Sequence, residues 1–121
     1  MDTPQDLTAI RQERNLLFDF YGPMLTPKQA ACFTMRYGED CSLTEIAQEL
    51  GISPQAAVDF IKRAAERLER CESQLGLVRK FTQQQAIANR IAAQLEELER
   101  QTGPSAAIDS IKAAVAEMMY I

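Results

Sequence analysis

With 121 residues, 46% of them hydrophobic and 25% charged, the chain has the size and balance of a globular domain with a modest core. It has no histidine, so the commonest general base and the commonest metal ligand are both missing. Its 13 Lys and Arg against 17 Asp and Glu leave a formal charge of -4, which suits a chain poorly for non-specific nucleic-acid binding, where affinity comes largely from neutralising phosphates.

No G-x-S-x-G, P-loop or Gly-rich dinucleotide turn is present, so neither an enzyme nor a cofactor is expected. Cys32, Cys41 and Cys71 are odd in number and form no C-x-x-C pair, which argues against a disulfide framework or a zinc site. Cys32 and Cys71 fall within helical patterns and read as packing residues. No apolar run is long enough to cross a bilayer, and M-D-T-P-Q-D at the start has no signal-peptide character, so the expected location is the cytoplasm, away from membranes.

Along the chain, Thr3-Pro4 with Asp6 reads as a helix start, followed by apolar positions at Leu7, Ile10, Leu17, Phe20 and Tyr21. Gly22-Pro23 breaks that helix, because proline disfavours a helical residue before it. Thr26-Pro27-Lys28-Gln29 is a second cap, with proline at the first helical position and glutamine three residues after the cap. The spacing predicts a helix to about Tyr37 that buries Ala30, Phe33 and either Met35 or Tyr37, with Gly38-Glu39-Asp40 as the next loop.

Residues Ser42 to Leu68 carry the punctuation of a helix-turn-helix. Ser42 and Glu45 form a capping box. Ala47 is small where the two helices cross. Gly51 stands where a left-handed backbone stops the first helix, and Ser53-Pro54 caps and opens the second. The expected buried seam is Ile46, Leu50, Ile52, Ala57, Phe60 and Ile61. The outward positions of the second helix are Gln55, Val58, Asp59 and Lys62, with Arg63 at the flank. DNA readers usually place donors there, yet Val58 and Asp59 offer none to phosphate. Lys62, Arg63, Arg67 and Arg70 could build a local basic patch, but Glu66, Glu69 and Glu72 are expected to lie between them on a solvated face.

The second helix keeps its spacing through Ala65, Leu68 and Cys71 to Leu75, with Gly76 as the first breaker. That is longer than the ~12–14 residues a recognition helix needs, so it is expected to pack against another element as well. From Lys80 to Gln101 another amphipathic helix presents Phe81, Ile87, Ile91, Leu95 and Leu98. Thr102-Gly103-Pro104-Ser105 ends it, and a last helix shows Ala107, Ile108, Ile111, Val115 and Met118 or Met119. These two helices either complete the core as a hairpin or expose an apolar stripe to a partner or a second copy.

R-N-L-L-F-D-F-Y-G-P-M-L-T-P-K-Q at Arg14 to Gln29, M-R-Y-G-E-D-C-S-L-T-E-I-A-Q-E-L-G-I-S, and D-F-I-K-R-A-A-E-R-L-E-R-C-E-S-Q-L-G-L together resemble the bacterial YlxM family over Arg14 to Leu77. The helix-turn-helix also looks like region 4 of sigma factors. The YlxM resemblance implies a small helical protein, encoded beside components of the signal recognition particle and serving that particle by contacting its GTPase subunit or its RNA. A DNA-binding regulatory role has also been proposed for the family. Where the family has S-R-Q-A-V-Y-D-N-I-K-R, this chain has S-P-Q-A-A-V-D-F-I-K-R, so Pro54 replaces an arginine, Val58 a tyrosine and Phe60 an asparagine. Ser53, Gln55, Asp59, Lys62 and Arg63 remain.

The expected fold is all-α, five or six helices, with a sigma region 4-like helix-turn-helix domain over residues 1–77. A C-terminal helical extension over residues 78–121 packs on that core or serves a partner. The partner-facing residues expected are Ser53, Gln55, Asp59, Lys62, Arg63 and Arg67, with no catalytic or metal residue. Two functions fit. One is an accessory protein of the signal recognition particle, acting on its GTPase subunit or RNA. The other is a DNA-binding regulator that forms a homodimer through its C-terminal helices so that two recognition helices meet half-sites.

Overall fold

The computed structural model describes residues 4–119, and among these it shows six α-helices and no strand. The helices are α1 (Pro4–Tyr21), α2 (Pro27–Phe33), α3 (Leu43–Leu50), α4 (Pro54–Leu75), α5 (Leu77–Thr102) and α6 (Ala106–Met119). A 3-10 turn at Gly22–Met24 follows α1, and a π turn at Thr34–Gly38 follows α2. The chain divides into two compact units, the first ending at Val78 and the second beginning at Arg79. The Thr3 cap and the side chains placed at Asp6 and Leu7 lie outside the described residues.

In the first unit the local signals act as their chemistry requires. The Thr26 hydroxyl accepts from the Gln29 N–H at 3.3 Å while the Gln29 side chain accepts from the Thr26 N–H at 3.1 Å. α1 stops at Gly22-Pro23, and a side chain on Gly22 would press against the Phe18 ring at 3.2 Å. That ring stacks on Phe33, with centroids 5.6 Å apart.

Two apolar clusters result, and α2 and α4 feed both. Leu17, Tyr21, Phe33, Ala64, Leu68 and Cys71 form one, under α1. Cys32, Ile46, Ala57 and Ile61 form the other, with Leu50, Ile52 and Phe60 half-buried against it, inside the helix-turn-helix. The length of α4 follows from this division. Its first turns serve the helix-turn-helix, and its later turns pack beneath α1. Ile10, expected to face the core, is exposed.

The π turn resolves the choice between Met35 and Tyr37. Residues two apart point to nearly opposite sides of an α-helix, so only one of them could face inward. The wider turn, closed by the Glu39 N–H on the Thr34 carbonyl at 3.0 Å, lets both pack against the helix-turn-helix cluster. Asp40 then adopts a left-handed backbone at φ 57°, and its carboxylate pairs with Arg11 of α1.

The second unit is sparser. Gly103, at φ 82°, separates α5 from α6. Ala88, Leu95 and Ile108 are its buried side chains among the described residues. Of the apolar positions of α5, Phe81 and Leu95 join Ala88 in the seam, while Ile87 and Leu98 are 47% and 44% exposed. Lys112 reaches Glu99 across the hairpin, and a groove of about 390 Å³ remains between the helices, lined chiefly by Phe81, Ala88, Leu95, Val115 and Met119. Tyr120 and Ile121 of the M-M-Y-I tail lie outside the described residues.

Candidate nucleic-acid or partner interface

The helix-turn-helix is assembled from three capping contacts. The Ser42 hydroxyl accepts from the Glu45 N–H at 3.1 Å, and Glu45 returns the bond to the Ser42 N–H at 3.2 Å. Gly51 takes φ 64°, and the next N–H, from Ile52, closes on the Ala47 carbonyl at 3.0 Å. The Ser53 hydroxyl accepts from the Ala56 N–H at 3.0 Å, so this predicted site residue serves as the cap of α4.

Gln55, Asp59, Lys62, Arg63 and Arg67 all stand exposed on α4. Asp59 and Arg63 neutralise each other at 3.1 Å, four residues apart on one helix. Val58, 38% exposed, puts an apolar spot among them. The outward face near the start of α4 therefore offers Gln55 and Lys62 as its uncommitted donors.

Of the acidic residues further along α4, Glu66 stays exposed among the cations, four residues from both Lys62 and Arg70, whereas Glu69 and Glu72 are engaged elsewhere. Glu69 turns to α1, where Arg14 donates to it at 2.5 Å. Glu72 is half-buried and accepts from the Tyr21 hydroxyl at 2.6 Å and from the Val78 N–H at 2.9 Å. The same hydroxyl accepts from the Leu77 N–H at 3.1 Å, so one Tyr–Glu pair holds the chain as it leaves α4 through Gly76, φ 65°. Burial, and then the Glu72 carboxylate, push the Tyr21 hydroxyl above its ordinary pKa, which keeps it protonated and donating.

What remains on the other edge is a cationic stripe. Arg63, Arg67 and Arg70 recur at the four- and three-residue spacing that aligns side chains on one helical face. Among the described residues, Lys62, Arg67 and Arg70 have no acidic partner. Lys28 of α2 stands 6.0 Å from the centre of the half-buried Phe60 ring, three residues before Arg63. Lys28 was missed as a site residue in the sequence, and Arg70 was named for a basic patch but not among the partner-facing residues. Arg70 was recoverable from its spacing, whereas Lys28 is brought to α4 only by the fold.

Neither Cys32 nor Cys41 is activated as a thiolate. Burial raises the pKa of Cys32, with Lys28 opposing in part. Cys41 is raised by burial and by the carboxylates of Glu45, Glu39 and Asp40. Among the described residues no group of three or more His, Cys, Asp or Glu could hold a metal ion, and no helix is long and apolar enough to cross a membrane.

A family model described as "Putative helix-turn-helix protein, YlxM / p13 like" matches residues 9–108. The chain belongs to this UPF0122 family. A UPF0122 protein of Listeria monocytogenes serotype 4b (strain F2365) is 47% identical over 81 residues, covering 67% of this chain and 74% of its own. Similar relatives occur in Exiguobacterium sp. (strain AT1b), 44% identical over 82 residues (68% and 77% covered), and in Bacillus mycoides, 42% identical over 85 residues (70% and 77% covered). UPF0122 is a helix-turn-helix family rather than an enzyme family, and its match runs past the helix-turn-helix into α6.

Proposed function

We propose that this UPF0122 protein is an accessory protein of the bacterial signal recognition particle and uses α4 to contact the particle's GTPase subunit, its RNA, or both. The observation that carries this reading is the division of charge on α4. Its base-reading positions are chemically quiet at Pro54 and Val58 and self-neutralised at Asp59–Arg63. Among the described residues its cations at Lys62, Arg67 and Arg70 have no acidic partner within ion-pair distance, and such a stripe suits a phosphate backbone or an acidic protein surface more than base edges. The net charge of -4 favours docking to a basic protein over wrapping a long duplex.

A second reading, a DNA-binding regulator, draws support from Gln55 and Lys62, two exposed donors at positions from which recognition helices reach bases. One experiment separates the two readings. The purified protein is titrated with the GTPase subunit, with the particle's RNA, and with a genomic DNA pool at ~0.1 M salt, where phosphate contacts remain visible. Binding to the particle's components, weakened by Arg67→Ala with Arg70→Ala, is the expected result. Enrichment of one DNA sequence, lost in Gln55→Ala with Lys62→Ala, would replace it with the regulator.

A further inference from the structure

We infer that α5 is a self-association surface, on which a second copy of this chain docks its own α5 in antiparallel orientation. The seam that closes the α5–α6 hairpin uses Phe81, Ala88 and Leu95, spaced seven residues apart. Beside it runs a second stripe, Ile87, Ile91 and Leu98, at spacings of four and seven residues that share one helical face, with the polar Gln94 between the last two. Ile87 and Leu98 are 47% and 44% exposed, so this stripe is apolar but uncovered.

Charge decides the occupant and its direction. Arg90 and Glu97, seven residues apart, both flank the outer stripe on the same side; Arg90 has no acidic partner among the described residues, and Glu97 shares an exposed, solvent-screened pair with Arg100 of its own helix. When two α5 helices run antiparallel with Ile87 opposite Leu98 of the second copy, Arg90 comes beside Glu97 of that copy, and symmetry repeats the pair. In a parallel arrangement Arg90 has no such counterpart, and the two helix dipoles oppose the pairing. The surface is thus complementary to itself in one direction only, as a two-fold interface must be.

In that register residues 83–102 of the two helices overlap, ~30 Å at 1.5 Å per residue, and with a width of ~10 Å each copy buries on the order of 300 Å². That is less than half of a standard interface, so the dissociation constant expected is on the order of a hundred micromolar.

Sedimentation equilibrium of the full chain from ~5 to ~300 µM, with no partner present, tests this independently of any binding to the signal recognition particle. The expected result is a monomer–dimer equilibrium that Ile87→Glu with Leu98→Glu weakens at least ~10-fold. Arg90→Glu and Glu97→Lys each weaken it by ~3-fold or more, and the chain carrying both returns towards the wild-type value, with circular dichroism confirming equal helicity. A monomer at every concentration overturns the inference, as does association that Ile87→Glu with Leu98→Glu leaves unchanged. Charge variants that weaken nothing overturn the antiparallel arrangement.

Discussion

The two units are both built from amphipathic helices, yet they use their apolar residues differently. In the first, the buried apolar side chains gather in two clusters, and Phe33, Ile46, Leu68 and Cys32 are almost wholly excluded from water. In the second, two helices meet along a thin seam and leave Ile87, Leu98, Ile111 and Met118 largely exposed. A pair of helices can cover only one stripe on each, whereas three or four can enclose a centre. The first unit is thereby a rigid carrier for α4, and the second is a surface with apolar area to spare.

Truncating the two cores gives the widest contrast. Phe33→Ala should cost about 3–5 kcal/mol in urea denaturation, because the ring stacks on Phe18, contacts Tyr37 and leaves a cavity that cannot collapse. Leu95→Ala should cost about 2 kcal/mol, at the bottom of the range for a buried leucine, since its seam has fewer neighbours to lose. Equal costs would show the hairpin to be packed as tightly as the first unit.

The Tyr21–Glu72 pair sharpens the comparison at the exit from α4. Tyr21→Phe should cost about 1–2 kcal/mol, because Glu72 loses a donor and the Leu77 N–H loses its acceptor. Since the folded pKa of Tyr21 lies above its ordinary 10.0, its contribution is complete below about pH 10 and fades as pH rises through the folded value. Wild type should therefore lose more stability than Tyr21→Phe when denaturation is repeated above pH 10; parallel losses would show that the hydroxyl bond contributes nothing.

Smaller effects come from local structure. Ser53→Ala should cost about 1 kcal/mol by removing the acceptor for the Ala56 N–H, and Ser53→Asp should restore most of it. The smallest change is expected from Asp59→Asn, below about 0.5 kcal/mol, since its pair with Arg63 is solvent-screened. A larger loss there would mean that the pair positions α4 rather than merely neutralising its face.

Much of the fold was legible because helix ends are written locally. Ser42, Glu45, Gly51, Ser53, Pro54 and Gly76 each act within three or four residues of themselves, and each stands where its chemistry placed it. For α5 the sequence left open a closed hairpin or an exposed apolar stripe; Phe81 and Leu95 join Ala88 in the seam, while Ile87 and Leu98 stay outside it. Hydrophobicity alone favours the larger side chain, while a close helix contact accepts alanine at Ala88. The π turn at Thr34–Gly38 had no composition to announce it, and the inward placement of both Met35 and Tyr37 followed from it.

On the interface, the exposure of Gln55, Asp59, Lys62, Arg63 and Arg67 followed from the period of α4. Whether those charges are available did not. Sequence spacing put Glu66, Glu69 and Glu72 among the arginines; Glu66 stays exposed beside them, while Arg14 and Tyr21, more than 50 positions earlier, engage Glu69 and Glu72. The amino-acid sequence by itself determined the helices, their ends, the helix-turn-helix and the quiet chemistry at Pro54 and Val58, because these depend on backbone geometry and side-chain type over one or two turns. Tertiary structure alone decided which cations on α4 stand free and which apolar stripe of α5 stays uncovered, because pairing and burial are set by neighbours that only folding brings into reach.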